Sequence, residues 1–386
     1  MSSFVHRTAA LAALATRDAL AARSVELLPR PSGDARGALE RAIAWLCRTH
    51  DVTDRRGSSK GFSLVRGWLP AYPETTGYVI GTLIAYAERS GQEGYAERAR
   101  EMGDWEVEVQ QGDGGVIEGT VGPEPRPSIV FNTGMVLHGW IDLIEAGERR
   151  FEGPARRAAR FLTDKIGGSG TWAPAVEYAG MPHTYNSRVA WAMLRWAEYS
   201  GEADVSRAAL RHLDWVLSMQ RANGWFESCI FRPGTLPSTH AIAYTLRGLL
   251  ESYALVGGDH YLQAVRRTSE ALVRKLETTA SLPANFDAEW VVRSEHACLT
   301  GTVQLGGVWL RLHEVDGDAR HLNAGLKAID QVVARQERTR WTDISGAIAG
   351  SFPIWGRYAP LQYPNWATKF LADALMLREE SVARLR

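Results

Sequence analysis

The sequence predicts an all-α protein made of six helical hairpins closed into a ring. Three observations carry that prediction. Short motifs recur six times along the 386 residues: YPETTGY at 72–78, VFNTGMV at 130–136, TYNSRVA at 184–190, PSTHAIA at 237–243, CLTGTVQ at 298–304 and YPNWATK at 363–369. Each motif opens a run whose apolar residues recur at helical spacing. Each of the first five runs ends near a glycine, and a second helical pattern rich in Ala, Arg and Glu follows it.

The spacing fits a hairpin repeat. With Glu74, Asn132, Asn186, His240, Thr300 and Asn365 as markers, the separations are 58, 54, 54, 60 and 65 residues. That leaves room for two helices of ordinary length and their connections. The first helix of each pair is the more apolar, as in AWAMLRWAEY at 190–199, and is expected to lie inside. The second carries a charged stripe, as in GYAERAREMGDWEVEVQ at 94–110, which reads as a solvated outer face. Residues 37–50, GALERAIAWLCRTH, supply one more outer-type helix ahead of the first marker. An open solenoid needs polar capping repeats, and neither end reads as one, so closure is expected to bury both ends. Strand signals are weak, and the long connections before the inner helices are rich in Gly and Pro.

The expected organisation is an N-terminal helical extension over 1–35 and a ring domain over 36–386. The Ala-rich start runs straight into Arg17 and Asp18 and reads as an amphipathic helix packed on the outside. Lys plus Arg and Asp plus Glu both number 44, so the basic excess of a dedicated nucleic-acid binder is absent. Cys47, Cys229 and Cys298 form no CxxC pair and no disulfide framework, which leads us to expect a reducing, cytoplasmic setting. No apolar run is long enough to span a bilayer. No Cys/His set has metal-ligand spacing, and there is no P-loop, no strand–GxGxxG–helix and no GxSxG, so neither a metal nor a cofactor is expected.

Inner helices of a ring begin on one face, where their unpaired N–H groups favour polar or anionic ligands. A solute-binding cleft is therefore expected there. Glu74, in the first turn of the first inner helix, is a candidate acid, base or ligand clamp. Its neighbours Trp68, Tyr72 and Tyr78 are expected to raise its pKa. His240 and Tyr244, four residues apart, share one face of the fourth inner helix and are candidates for proton transfer, together with Tyr185. Asn132, Asn186 and Arg188 are candidates for holding an acidic group. Seven of the 14 tryptophans precede or open inner helices. Of these, Trp68, Trp172, Trp225 and Trp366 are expected to offer flat apolar faces to a sugar, with Asp113 from the QQGDGGV loop beside them. Further loop carboxylates are Glu118, Glu177, Glu227, Asp287 and Glu289. The competing interpretation makes the asparagines helix caps, His240 an interior residue and the tryptophans gap fillers.

The repeat pattern resembles the alpha/alpha toroids, which include glycoside hydrolases, polysaccharide lyases, sugar epimerases and terpene cyclases. QQGDGGV at 110–116 and MQRANGWF at 219–226 look like the Q-x-x-x-G-W repeats of the squalene-cyclase group. GWLPAYPETTGY at 67–78 resembles bacterial polysaccharide-biosynthesis proteins of the VpsJ type, and PSIVFNTGMVLHGWIDL at 127–143 is similar to the toroidal domain of glucuronyl C5-epimerases. The resemblance implies an (α/α)6 toroid that processes glycans by lyase, C5-epimerase or hydrolase chemistry. An acidic, uronate-containing substrate is favoured because amide, Arg, His and Tyr groups accompany the carboxylates. Two alternatives remain at this point. One is an isoprenoid cyclase or transferase, against which the absence of a DxDD acid motif argues. The other is a non-catalytic glycan-binding toroid.

Overall fold

The computed structural model describes residues 13–20, 34–279 and 281–384. Most of the expected N-terminal extension, residues 1–12 and 21–33, lies outside the described residues. Twelve long helices run in order: α1 (Ala35–Asp51), α2 (Pro73–Ser90), α3 (Glu93–Val109), α4 (Val130–Glu145), α5 (Glu152–Lys165), α6 (Ser187–Ser200), α7 (Ala203–Ser218), α8 (Thr239–Val256), α9 (Asp259–Thr278), α10 (Leu299–Asp316), α11 (Ala319–Val333) and α12 (Asn365–Ala383). The even-numbered helices form the inner ring and the odd-numbered ones the outer ring. Each inner helix packs on the next, α12 returns to α2, and α1 packs on α12. The fold is an (α/α)6 toroid.

Local chemistry marks the boundaries. Pro73 opens α2, where its missing N–H costs nothing. The Ser238 and Asp318 side chains accept backbone N–H groups at the starts of α8 and α11. Gly91 closes α2 in the left-handed conformation, at φ 68°. Inner helices are buried on most sides, and in α4 every residue from Val130 to Ile141 is buried. Outer helices bury one stripe only. Two inner helices nearly touch at their backbones: a Cβ on Gly139 would sit 2.2 Å from the Gly77 carbonyl oxygen.

The Q-x-x-x-G pattern has a structural explanation. Gln110 Nε2 donates to Gly114 O and Pro154 O, pinning the loop after α3 to the start of α5. Gln220 Nε2 makes the same kind of bond to Ala264 O. Gln336 Nε2 donates to Ala38 O and Gly346 O. This last joint links the final loop to the first outer helix, so the ring closes with the same device that links its interior repeats.

Seven short strands decorate the loops before the inner helices. The strands β1 (Gly61–Ser63), β2 (Gly67–Trp68) and β7 (Gln362–Pro364) form an antiparallel sheet in the order β2-β1-β7, with Phe62 opposite both Trp68 and Tyr363. This sheet joins the first loop to the last. Pairs β3 (Val116–Ile117) with β4 (Ser128–Ile129), and β5 (Ala297–Cys298) with β6 (Ser351–Phe352), brace two more loops. Residues 13–20 are helical and dock below the last loop: Arg17 pairs with Glu337 at 2.8 Å, and Asp18 accepts from Ile354 N at 2.9 Å. No described helix is long and apolar enough to cross a membrane.

Candidate active-site funnel

The inner-helix starts and their loops bring a set of partly exposed residues together around Glu74, the funnel region: Lys60, Tyr72, Tyr358 and Trp366, with Phe231 beside His240. Glu74 is itself partly exposed and is placed by the first turn of α2. The Tyr72 hydroxyl donates to Glu74 Oε2, and the Tyr78 hydroxyl donates to Oε1 at 3.4 Å. Burial pushes the Glu74 carboxyl above the usual range; the Tyr72 bond, Lys60, Tyr78 and Arg188 pull the other way. Lys60 Nζ lies 4.9 Å from the Tyr72 ring and 5.9 Å from the Trp366 ring. Burial depresses the Lys60 ammonium, and Glu74 partly restores it. Trp366 Nε1 donates to the Tyr358 hydroxyl at 2.8 Å.

Beside Glu74, aromatic rings fill the centre. The Tyr358 ring centroid lies 5.4 Å from His240, and His240 lies 4.3 Å from Tyr244. Tyr244 Oη meets Tyr78 Oη at 3.5 Å. Tyr185 packs on Phe131 and Phe231, and Tyr244 on Phe131 and Phe370. His240 Nδ1 donates to Gln304 Oε1 at 2.5 Å, which leaves Nε2 as the acceptor of a neutral ring. Burial drives its pKa down to about 3, so the ring stays uncharged near neutral pH. Burial also raises the Tyr72, Tyr78, Tyr185 and Tyr244 phenols, keeping them protonated hydrogen-bond donors.

Four expected residues therefore share one region: Glu74, His240, Tyr244 and Tyr185, with Trp366 on the wall. Others take different places. Asn132 Nδ2 donates to Ile117 O at 2.6 Å, tying β3 to the start of α4. Asn186 Nδ2 donates to Glu177 Oε2 at 2.9 Å, and both side chains are buried. Asn365, the sixth marker, holds Ser58, Ser59 and Thr75 through one amide nitrogen. Asn132 and Asn186 clamp the preceding loops to their helix starts, whereas Asn365 ties the last inner helix to the first loop and to α2. Arg188 lies against the rings of Tyr244, Phe370 and Tyr78 and lines a chamber at the opposite face, so it does not join Asn186.

Trp172 donates to Leu162 O and packs on His212, between outer helices. Trp225 packs edge-on against Trp290, and Trp68 packs against Trp45 and Phe62 while donating to Asp343. These three fill joints between hairpins. Asp113 is exposed and accepts from Gly115 N and Ser128 Oγ, a turn-stabilising role. Glu227 and Asp287 are tied to Arg221 and Arg293. Lys60, Tyr358 and Gln304 were missed as site residues. Gln304 had a signal, closing the fifth recurring motif. Lys60 and Tyr358 lie in irregular loops with no period to reveal them. No group of His, Cys, Asp and Glu suited to a metal ion occurs among the described residues.

No protein-family model matches the chain, and no curated protein matches it by sequence. Solved structures do match in shape. An unsaturated glucuronyl hydrolase specific for heparin superposes with a TM-score of 0.72 at 12% identity, covering 91% of this chain and 98% of that one. A cellobiose 2-epimerase from Spirochaeta thermophila gives 0.68 at 14% identity, covering 93% and 99%. A D-mannose isomerase gives 0.69 at 10% identity, covering 90% and 98%. The chain therefore has the full-length alpha/alpha-toroid fold that these three sugar-processing enzymes share.

Proposed function

We propose that this chain is a glycan-processing enzyme acting on an acidic, uronate-containing sugar in the funnel, with proton transfer by Glu74 as its central step. The observation that carries this reading is the setting of Glu74. One carboxyl group, raised in pKa by its enclosure, receives two phenolic hydrogen bonds and stands near a single lysine between two aromatic rings. A carboxyl raised towards the working pH is suited to give and take a proton. Lys60 supplies positive charge for a sugar carboxylate, taking the part first expected of Arg188 and Asn186. Tyr72, Tyr358 and Trp366 offer flat faces to the sugar ring. Tyr244 and Tyr185 act as hydroxyl donors, and neutral His240 as an acceptor.

Displacement at a glycosidic carbon by two carboxylates needs a second one within roughly 5–10 Å of the first. Burial also raises the Glu106 and Glu177 carboxyls strongly, but Glu106 is buried in the outer helix α3, and Glu177 is buried beside Asn186 with its Oε1 without a partner or access to solvent. Chemistry with one proton-transfer group, as in a lyase or an epimerase, or a hydrolysis that begins at a sugar carbon, fits this arrangement better. The three solved structures process an unsaturated glucuronyl sugar, cellobiose and mannose by their names, which supports a sugar substrate here. The test is to incubate the protein with uronate-containing and neutral oligosaccharides. Absorbance from a new C4–C5 double bond identifies a lyase, solvent deuterium in an uncleaved sugar an epimerase, and new reducing ends alone a hydrolase. Glycan binding without any turnover refutes the enzyme reading in favour of a binding toroid. Tight binding of an isoprenoid diphosphate with no glycan turnover refutes it in favour of an isoprenoid enzyme.

A further inference from the structure

Beneath the Tyr78–Tyr244 contact the ring forms a second chamber, open to solvent on the face where the inner helices end. Its volume is about 580 Å³, within the range of small-molecule pockets, and a hollow of about 260 Å³ adjoins it. Arg188, Trp191, Lys369 and Asp373 line both. Glu74, His240 and Tyr244 line neither.

The basic groups of this chamber are ion-paired, with one exception among the described residues. Lys369 holds Asp373 at 2.5 Å. Arg195 holds Asp142 at 2.8 Å and Glu145 at 2.7 Å. Arg247 and Arg311 share Glu251. Arg188 is only 6% exposed, yet no carboxylate pairs with it among the described residues. Its one hydrogen bond runs from Nε to the Met135 sulfur at 3.3 Å. The remaining contacts of its guanidinium are with ring faces: Tyr244 at 5.2 Å, Phe370 at 5.5 Å and Trp191 at 5.7 Å. Ring faces stabilise a cation but leave the in-plane N–H fork of a guanidinium unused, and that fork matches a carboxylate. Glu74, Glu251 and Asp373 act on Arg188 only through space, and a buried cation with no anion in direct contact is costly to fold.

The chamber also restricts what it accepts. Trp191, partly exposed, presents a flat apolar surface, with the His138 ring tilted against it at 4.3 Å. Exposed Glu88 and Glu198 stand among the lining residues. The ends of the inner helices add partial negative charge at the same mouth. That outer field repels a polyanion and admits a molecule with one negative charge at its inner end.

We propose that this chamber is a second ligand site, which takes a small hydroxylated monocarboxylate of the sugar-acid type, its carboxylate on Arg188 and its ring against Trp191. The site is separate from the funnel and does not depend on the role of Glu74.

The experiment is calorimetric titration with sodium glucuronate, with glucose and citrate as neutral and polyanionic controls. Wild-type protein is expected to bind glucuronate in preference to both. Arg188→Met should weaken glucuronate binding roughly 10- to 100-fold through loss of a charge-assisted pair. It should also leave the thermal midpoint of the ligand-free protein unchanged or raised, because an uncompensated buried charge is gone. Trp191→Ala and Arg188→Lys should weaken binding as well, which keeps the test open if Arg188→Met does not fold. Lys60→Met, in the funnel, should leave chamber binding in place. No glucuronate binding, or citrate bound as tightly as glucuronate, overturns the proposal. So does binding that survives the Arg188 and Trp191 substitutions and is lost in Lys60→Met, which would place the anion in the funnel.

Discussion

The Tyr78 hydroxyl lies 3.5 Å from the Tyr244 hydroxyl, and this contact spans the ring between the first and fourth inner helices, α2 and α8. It divides the barrel's interior in two. Above it lies the funnel with Glu74; below it lies the chamber with Arg188. Tyr78 belongs to both compartments, since the same phenol also donates to Glu74.

That bond sets a pH dependence. Phenol donors favour the ionised carboxylate, so they hold the Glu74 pKa below the level burial alone would give. Tyr78→Phe and Tyr72→Phe should each raise it further. The ionisation limb of the pH–rate profile should move to higher pH in both variants, and more in Tyr72→Phe, whose bond has the larger effect on Glu74. The check is kcat/KM across pH 4 to 9 for the three proteins. An unmoved limb would separate Glu74 from the rate.

Glu177 should make the protein less stable as pH rises. Burial pushes its folded-state pKa from 4.5 to about 8, with the Asn186 amide opposing. A raised folded pKa gives stability that is fully present below 4.5 and lost as pH rises through 8. Glu177→Gln keeps an acceptor for Asn186 and removes the ionisation. Its thermal midpoint should exceed that of the wild type at pH 8 and match it near pH 4. Equal midpoints at both pH values would contradict the burial of an uncompensated carboxyl.

His240 works in the opposite sense. Its folded pKa is depressed from 6.5 to about 3, chiefly by burial. Stability linked to this ring is present above 6.5 and lost as pH falls towards 3. His240→Gln should flatten the acid side of the stability profile, measured by urea denaturation at pH 4 and pH 7. A profile as steep as that of the wild type would show that the ring is already solvated.

The backbone crossing of α2 and α4 should tolerate no side chain. Gly139→Ala drives a methyl group into the Gly77 carbonyl and should destabilise by about 1–3 kcal/mol. Gly112→Ala has open space around it and should stay within about 0.5 kcal/mol of the wild type. Chemical denaturation of both variants checks the difference.

The ring was legible in the sequence because every hairpin must bury an apolar helix against its neighbours, so the markers recur with each turn of the fold. The start of each inner helix was legible for the same reason. What lay at each start was not. Asn132 and Asn186 occupy equivalent positions and were open to two readings; only the partners Ile117 and Glu177 separate a loop clamp from a ligand clamp. Arg188 follows Asn186 by two residues, yet its side chain faces the other compartment. Trp172 and Trp225 precede inner helices, as Trp366 opens one, but they close the joints between hairpins. Lys60 is placed by the antiparallel sheet that joins the first loop to the last, a contact across more than 300 residues that no local pattern encodes.

We propose that Glu74 performs proton transfer on an acidic sugar in the funnel. Comparing wild type with Glu74→Gln on a uronate-containing oligosaccharide and on its neutral counterpart tests this. Glu74→Gln keeps the shape and one acceptor for the phenols. The wild type should turn over the uronate substrate and little of the neutral one, and Glu74→Gln should lose roughly 10²–10⁴-fold in kcat with a nearly unchanged KM. Equal turnover of the uronate substrate by wild type and Glu74→Gln would contradict it.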